Sequence, residues 1–323
     1  MLPIAVDAVG GDKAPGEIVA GAAQAAATLG VPVVLVGPPD LIGDPMGLEV
    51  IPCTEVIDMH EEGAKAVRRK KDSSLVVAAE LVRDGKASAM LSAGNTGATV
   101  ASALLRMGRL SGVSRPAIAT PIPVPGSTPT VLLDAGANAE VQATWLVQFA
   151  QMGSAYARQR YGIETPRVGL LNIGEEDSKG TELTKEAFGL LKDAAGIHFV
   201  GNVEGRDLLS DDVDVVVTDG FTGNVALKTL EGGMKFLQNA VFAALMSSDE
   251  AVKASETVLP LLLPLAAELD PDTFGGAMAL GLKGVCIISH GSSSAKAIVN
   301  AVQVAKDMVE QDLVSKLQAA VSA

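Results

Sequence analysis

Thiols, imidazoles and aromatic rings are all scarce in this 323-residue chain, and each scarcity removes a class of function. Two cysteines, Cys53 and Cys286, cannot build a disulfide framework, and neither sits in a zinc-binding spacing. Both lie in or beside apolar strands and read as inert core thiols. Only His60, His198 and His290 carry imidazoles, and no Gly-x-Ser-x-Gly turn is present, so a Ser-His-acid triad finds no support. Neither Gly-x-x-x-x-Gly-Lys-Ser/Thr nor Gly-x-Gly-x-x-Gly occurs, and a nucleotide is not indicated. Positive charge is short as well: a net charge of −13 disfavours nucleic acid or an anionic membrane held by bulk electrostatics. The richest apolar stretch, Val258–Ala267, contains two prolines and falls short of the roughly 20 residues that span a bilayer. Met1 leads straight into a strand at Ile4–Val6 without a basic and then apolar leader, which leads to the expectation of a soluble, cytoplasmic protein. Aromatics make up 3% and hydrophobic residues 48%, so the core must be mostly Ala, Val and Leu, which suits helices packed on a parallel sheet.

What is present is one repeated grammar: a short apolar strand, a polar residue with glycine, then a helix. It occurs at Ile4–Asp12, Ala89–Gly97, Val131–Asn138, Val168–Ala194 and Val213–Asn224. Val33–Gly37 and Ile197–Gly205 are further strands with glycine-marked ends. The units differ in length, so they are βα units of a parallel sheet with right-handed crossovers, and ligands are expected beyond the carboxyl ends of the strands. Helices are expected at Glu17–Leu29, Leu75–Arg83 and Val141–Arg160, with Trp145, Phe149, Met152 and Tyr156 of the last facing the core. Five prolines between Pro116 and Pro129 predict an extended excursion or a hairpin edge. Ser294–Leu317 reads as a closing helix. With no low-complexity linker, residues 1–323 are expected to form a single α/β catalytic domain. The exception to the grammar is 234–269, an amphipathic helix over Met234–Met246 followed by a leucine-rich stretch that Pro260 and Pro264 should keep from forming a regular helix. It predicts a protruding apolar element, serving as a dimer contact, a core helix or a membrane-touching tip.

The central stretch, VGLLNIGEEDSKGTELTKEAFGLLKDA, carries the strongest chemical signal. Val168–Ile173 reads as a strand buried on both faces, Gly174–Gly180 as a loop, and Thr181 as the N-cap of a helix with Leu183, Ala187, Leu190 and Leu191 on one face. Free N–H groups and a positive dipole end then meet at one place, where anions bind. Lys185 follows the cap by four residues and leans toward it. Lys228 mirrors it, four residues past Asn224, which is placed as the cap of a second glycine-rich helix start. These patterns put phosphate or substrate at Asn95, Gly174, Lys179, Gly180, Thr181, Gly223 and Lys228, and assign catalysis to Lys185, Asn224 and Asn172, since asparagine amides can donate to an oxyanion without charge of their own. Asp7, Asp134 and Asp219 end strands but lack metal-ligand spacing, and are read as braces for neighbouring loops; neither metal nor cofactor is expected. His290, in the corner SHGSSS, could face the same site. The basic run Lys65–Lys71 contributes Arg68, Arg69, Lys70 and Lys71 as a dock for an acidic partner.

Taken in order, IAVDAVGGDKAPGEIV, AVRRKKDSSL, SAGNTGA, LLDAGAN, LLNIGEEDSKGTELTKEAF, FVGNVEGRDLL, VVVTDGFTGNVALKTLEG and SHGSSSAKAI resemble the PlsX family of bacterial phosphate acyltransferases over nearly the whole chain. Val9 stands where many relatives carry methionine, a conservative change. The resemblance implies an α/β fold similar to phosphate acetyltransferases and isocitrate-type dehydrogenases. It also implies transfer of a fatty acyl group from acyl carrier protein to inorganic phosphate, giving an acyl phosphate that a membrane glycerol-phosphate acyltransferase uses for phospholipid synthesis. A cytoplasmic homodimer that associates peripherally with the membrane is implied too. Such chemistry suits the residues: phosphate is already a nucleophile and a thioester has a good leaving group, so the protein must chiefly align the two and stabilise the oxyanion. Two other readings are a decarboxylating dehydrogenase on a related fold and a non-enzymatic, membrane-recruited scaffold that binds acyl carrier protein.

Overall fold

Eleven strands form one sheet in the computed structural model, which describes residues 1–322 with the side chain of Pro271 excepted. The strands are β1 (Ile4–Asp7), β2 (Val33–Gly37), β3 (Glu49–Pro52), β4 (Ala89–Ser92), β5 (Ala117–Ile122), β6 (Thr130–Leu133), β7 (Arg167–Leu171), β8 (His198–Val203), β9 (Val215–Val217), β10 (Ala277–Leu280) and β11 (Val285–Ile288). Their order is β3-β2-β1-β4-β11-β10-β5-β6-β9-β7-β8. Every pair on the β3 to β11 side is parallel, as is every pair on the β6 to β8 side. The three junctions between them, β11–β10, β10–β5 and β5–β6, are antiparallel. Three reversals leave the two parallel blocks pointing in opposite directions. The polar-glycine ends of β1, β4 and β11 therefore lie on one edge of the sheet, and those of β6, β7 and β9 on the other.

The strands are apolar throughout because both faces are covered. In β1, Ile4 and Val6 enter one core cluster and Ala5 the other; Ala89 and Leu91 against Met90 in β4, and Val285 and Ile287 against Cys286 in β11, divide the same way. That is the period of two of a strand with two buried faces. One face is covered by helices Gly16–Leu29, Ala143–Tyr161, Glu182–Lys192 and Ala295–Glu310, the other by Gly63–Arg69, Ser74–Arg83 and Thr96–Arg106. Phe149, Met152 and Tyr156 are buried as expected, while Trp145 is half-exposed beneath the Arg115 guanidinium, 5.2 Å from its ring.

Several expectations need correction. The strand expected to reach Ile173 ends at Leu171, and Ile173 is 80% exposed, because Asn172 leaves the sheet to brace the following loop. The proline-rich stretch is extended and forms a hairpin as expected, β5 pairing antiparallel with β6, but it is not an edge: β5 lies inside the sheet. Pro121 is tolerated there because β10 pairs with β5 only as far as Ala119, so the proline nitrogen faces no second partner strand. The closing helix is two, Ala295–Glu310 and Leu313–Ser322, divided where Asp312 takes a positive φ of 51°. Pro260 and Pro264 do not stop the helix Asp249–Glu268, which runs through both. Their spacing of four removes two ladder bonds from the same side of a helix whose surroundings are open, so the freed carbonyls remain accessible to water.

That helix pairs with Gly220–Leu245 as a hairpin in which only Gly220, Gly223 and Ser255 are buried. Phe236 and Leu261 are each 75% exposed, and Leu237, Phe242 and Leu263 also face outward. The protruding apolar element is present, and within this chain it is not a core helix. Among the described residues, no helix is long and apolar enough to cross a membrane.

Candidate functional site

The helix Gly220–Leu245 begins at the carboxyl end of β9 and carries two of the candidate residues, Asn224 and Lys228. Its N-cap is Asp219, whose carboxylate accepts from Thr222 N at 2.8 Å and Thr222 Oγ1 at 2.7 Å. Asn224, expected as the cap, is inside the helix, and Lys228 stands nine residues past the cap, not four. The reason lies in two glycines. A Cβ on Gly220 would come within 2.7 Å of Asn138 O, and one on Gly223 within 2.0 Å of Asp134 O. They let the helix start press against the β6 loop, so here glycine marks close packing and not a break.

From that start the helix turns back across β6 toward the other edge of the sheet. Strands of three to six residues are only about 10–20 Å long, and Lys228 lies about 13 Å along the helix axis from its cap. It therefore reaches the edge where β11 ends, and its Nζ is 3.5 Å from His290 Nε2. Glu231 accepts one of the lysine N–H groups at 2.7 Å. The His290 ring is fixed by its own corner: Nδ1 accepts Ser292 N–H at 3.2 Å and lies 2.8 Å from Ser292 Oγ. Ser293, buried, donates from Oγ to His290 O at 2.6 Å. Asn224, one turn before Lys228, is exposed; its side chain faces the position a Cβ on Gly136 would take, 3.7 Å away, and has no hydrogen-bond partner among the described residues. Two groups read from separate motifs, Lys228 and His290, are thus brought together, with a free amide nearby on the same helix.

The other glycine-rich start behaves differently. Thr181 does cap the helix Glu182–Lys192, accepting from Thr184 N at 3.2 Å, and Lys185 is exposed one turn on. Asn172 donates to Lys179 O at 3.2 Å and Asn202 to Glu176 O at 2.9 Å, pinning the loop at both sides. Gly180, at φ +93°, closes it where a Cβ would meet Asn172 Oδ1 at 2.4 Å. Gly174 is buried beneath Lys179, whose ammonium is 4.0 Å from Glu176. Glu175, Glu176, Asp177 and the first-turn Glu182 crowd this helix start, so acids already occupy much of its appetite for negative charge. The Lys185 ammonium makes no hydrogen bond or ion pair among the described residues, whereas that of Lys228 meets Glu231 and His290.

Asn95 caps Thr96–Arg106 by accepting from Ala98 N, while its amide donates to Met59 O at 2.9 Å and Glu61 O at 2.8 Å. Both amide hydrogens are committed, which makes it a clamp between two loops. The strand-end aspartates brace as expected. Asp134 accepts from Ile118 N, Gly136 N, Ala137 N and Asn138 N, and from Asn138 Nδ2. Asp7 accepts from Ser92 Oγ at 2.7 Å and Val9 N at 3.3 Å, and burial holds its carboxyl above the usual range despite those bonds. Burial likewise pushes the Cys53 and Cys286 thiols up to about 12, away from any nucleophilic use near neutral pH.

The basic run is only partly free. Arg69 and Lys70 pair with Glu61, Lys70 also donates to Val56 O, and Lys65 pairs with Glu62. Arg68 and Lys71 are exposed without a carboxylate partner among the described residues.

A family model described as "Fatty acid synthesis protein" matches residues 2–316. The phosphate acyltransferase of Heliobacterium modesticaldum is 48% identical over 327 residues, covering 98% of this chain and 97% of its own. That of Geobacillus thermodenitrificans is 47% identical over 323 residues, covering 98% of each. Among solved structures, a branched-chain phosphotransacylase from Enterococcus faecalis superposes with a TM-score of 0.61 at 15% identity, covering 96% of this chain and 99% of its own. EutD phosphotransacetylase from Staphylococcus aureus gives 0.60 at 18% identity, with 95% and 94% covered. The architecture is thus that of the phosphotransacylases, an α/β class with a mostly parallel sheet. Within it, the chain belongs to the PlsX family of phosphate acyltransferases and is an acyltransferase. Neither the dehydrogenase nor the scaffold reading finds support in these likenesses.

Proposed function

We propose that the chain moves a fatty acyl group from the thioester of acyl carrier protein to inorganic phosphate, with Lys228 and Asn224 at the reacting centre. The observation that carries this is the approach of Lys228 to His290, with the unpartnered Asn224 amide one turn away on the same helix, in a chain 48% identical to a phosphate acyltransferase. A phosphate oxygen attacks the thioester carbonyl carbon, a C–O bond forms, the C–S bond breaks, and the proton of monohydrogen phosphate ends on the thiol. Lys228 offsets phosphate charge, and the unpartnered Asn224 amide donates to the oxyanion of the tetrahedral intermediate. Lys185, one turn past the Thr181 cap and behind the loop that holds Asn172, Gly174, Lys179 and Gly180, supplies a second cation for the incoming substrate, partly offset by the acids of that loop. Arg68 and Lys71 supply most of the free charge that receives the acidic carrier protein, with Arg69 and Lys70 behind them.

The acyl phosphate would feed a membrane glycerol-phosphate acyltransferase in phospholipid synthesis. The exposed hairpin is the surface available for a homodimer contact or for peripheral membrane attachment, and residues 1–323 act as one catalytic unit. The deciding experiment incubates the protein with acyl carrier protein thioester and phosphate, without metal or nucleotide. Acyl phosphate should accumulate with stoichiometric release of carrier thiol. Thiol release without acyl phosphate would mean hydrolysis, and neither product would return the chain to a binding role.

A further inference from the structure

We propose that His290 is a substrate-contacting residue of this site, its Nε2–H and the Lys228 ammonium donating together to the non-attacking oxygens of phosphate. The inference rests on the acyl-transfer reading above and extends it to a residue outside the glycine-rich helix starts.

A neutral imidazole has one donor and one acceptor nitrogen, and the neighbours of each decide which is which. His290 Nδ1 receives the Ser292 backbone N–H at 3.2 Å, so Nδ1 is the acceptor and the ring hydrogen belongs on Nε2. Nε2 faces Lys228 Nζ at 3.5 Å. An ammonium has donors only. Two donors therefore point into the same space, and neither satisfies the other.

Glu231 accounts for one of the three lysine N–H groups. No carboxylate or carbonyl of the described residues accepts from His290 Nε2. What completes such a pair is a group with acceptors on several faces and negative charge for the lysine. Phosphate fits both demands, and charge-assisted bonds of this kind are the stronger ones. The corner is also fixed in advance. Ser293 N and Oγ both donate to His290 O, at 3.0 and 2.6 Å, so little ordering remains when the ligand arrives. Donating from Nε2, His290 orients phosphate, while the proton balance is closed between phosphate and the departing sulfur.

Two measurements test the proposal. In steady-state kinetics with carrier thioester and phosphate, His290→Ala should raise the phosphate KM by roughly tenfold or more, the loss of one charge-assisted bond, with the thioester KM unchanged. His290→Gln, which restores an N–H near the Nε2 position, should recover most of that loss. Equal phosphate KM values for Ala, Gln and wild type would overturn the proposal while leaving acyl transfer intact. The second measurement needs no turnover: nitrogen-15 histidine spectra of the full chain titrated with inorganic phosphate. The His290 signal should be that of the Nε2–H tautomer and should move on adding phosphate, with a weaker response in Lys228→Met. A ring protonated at Nδ1 alone, or a signal indifferent to phosphate, would overturn it even if the kinetic variants misfold. Absence of acyl phosphate from the wild type would instead sink the broader reading, and the titration would still decide the role of His290.

Discussion

Gly223 carries more of the site than a residue without a side chain is expected to. It lets the helix start that bears Asn224 and Lys228 rest on Asp134 O, where a Cβ would sit at 2.0 Å. Gly223→Ala should therefore cost about 1–3 kcal/mol by overpacking, seen as a lower denaturation midpoint. Gly232→Ala, in the same helix with nothing within 4 Å, should instead stabilise by about 1 kcal/mol. The contrast explains why Asn224 reads as a cap: Asp219 and Asn224 are both good cap residues, glycines usually mark a helix end, and only the carbonyl of a distant strand shows that these are packing glycines. Asp7 gives the second test at this scale. Its folded-state carboxyl is raised by burial, so the folded chain binds more protons than the unfolded one above the ordinary value of 3.8. Stability from this group is greatest below that value and declines as pH rises toward the folded one. Asp7→Asn should remove that decline: the variant gains on the wild type in denaturation midpoint between acid and neutral pH. A wild type that gains instead would show that the hydrogen bonds from Ser92 and Val9 outweigh the burial.

At the scale of elements, the strands and the helices between them were legible because two-sided burial leaves an unmistakable apolar run and a glycine stop, as in Val33–Gly37 and in Gly16–Leu29 before Gly30. The prolines were not. Pro121 inside the sheet depends on where β10 stops pairing, and Pro260 and Pro264 inside a helix depend on the openness around it; neither is a local property. The hairpin gives this scale its prediction. Replacing Leu261, Leu262 and Leu263 with Ser should release the protein from lipid vesicles while keeping soluble activity, and attachment of the wild type should survive high salt, because the net charge of −13 makes insertion apolar. A monomeric variant in sedimentation would assign the face to a dimer contact instead. For the basic helix, reversing Arg68 and Lys71 should raise the carrier-protein KM and flatten its salt dependence, leaving phosphate KM alone. The same reversal at Lys70 should chiefly lower stability, since that ammonium is tied to Glu61 and Val56 O. An unchanged carrier-protein KM would make the run a solvated surface.

Over the whole molecule, the class of fold and the family were legible from strand-glycine-helix units and long motifs, whereas the site was only half so. Lys228 stands four residues past Asn224, but the cap is Asp219. What gives Lys228 its place is the antiparallel junction β11–β10–β5–β6, which sets the two blocks opposed and sends one long helix back to the edge where His290 sits. No sequence window contains that junction. Lys185 keeps its cap and its spacing, yet no hydrogen bond or ion pair among the described residues links it to this group. The two lysines therefore make the most direct test, by steady-state kinetics with carrier thioester and varied phosphate. Lys228→Ala should raise the phosphate KM by roughly ten- to a hundredfold, the loss of a charge-assisted contact of ~1.5–3 kcal/mol, with kcat kept. If the contact forms mainly in the transition state, kcat falls by that factor instead. Lys185→Ala should have the smaller effect of the two. Wild-type phosphate kinetics in Lys228→Ala would contradict the account, and the phosphate site would have to be sought elsewhere on the sheet.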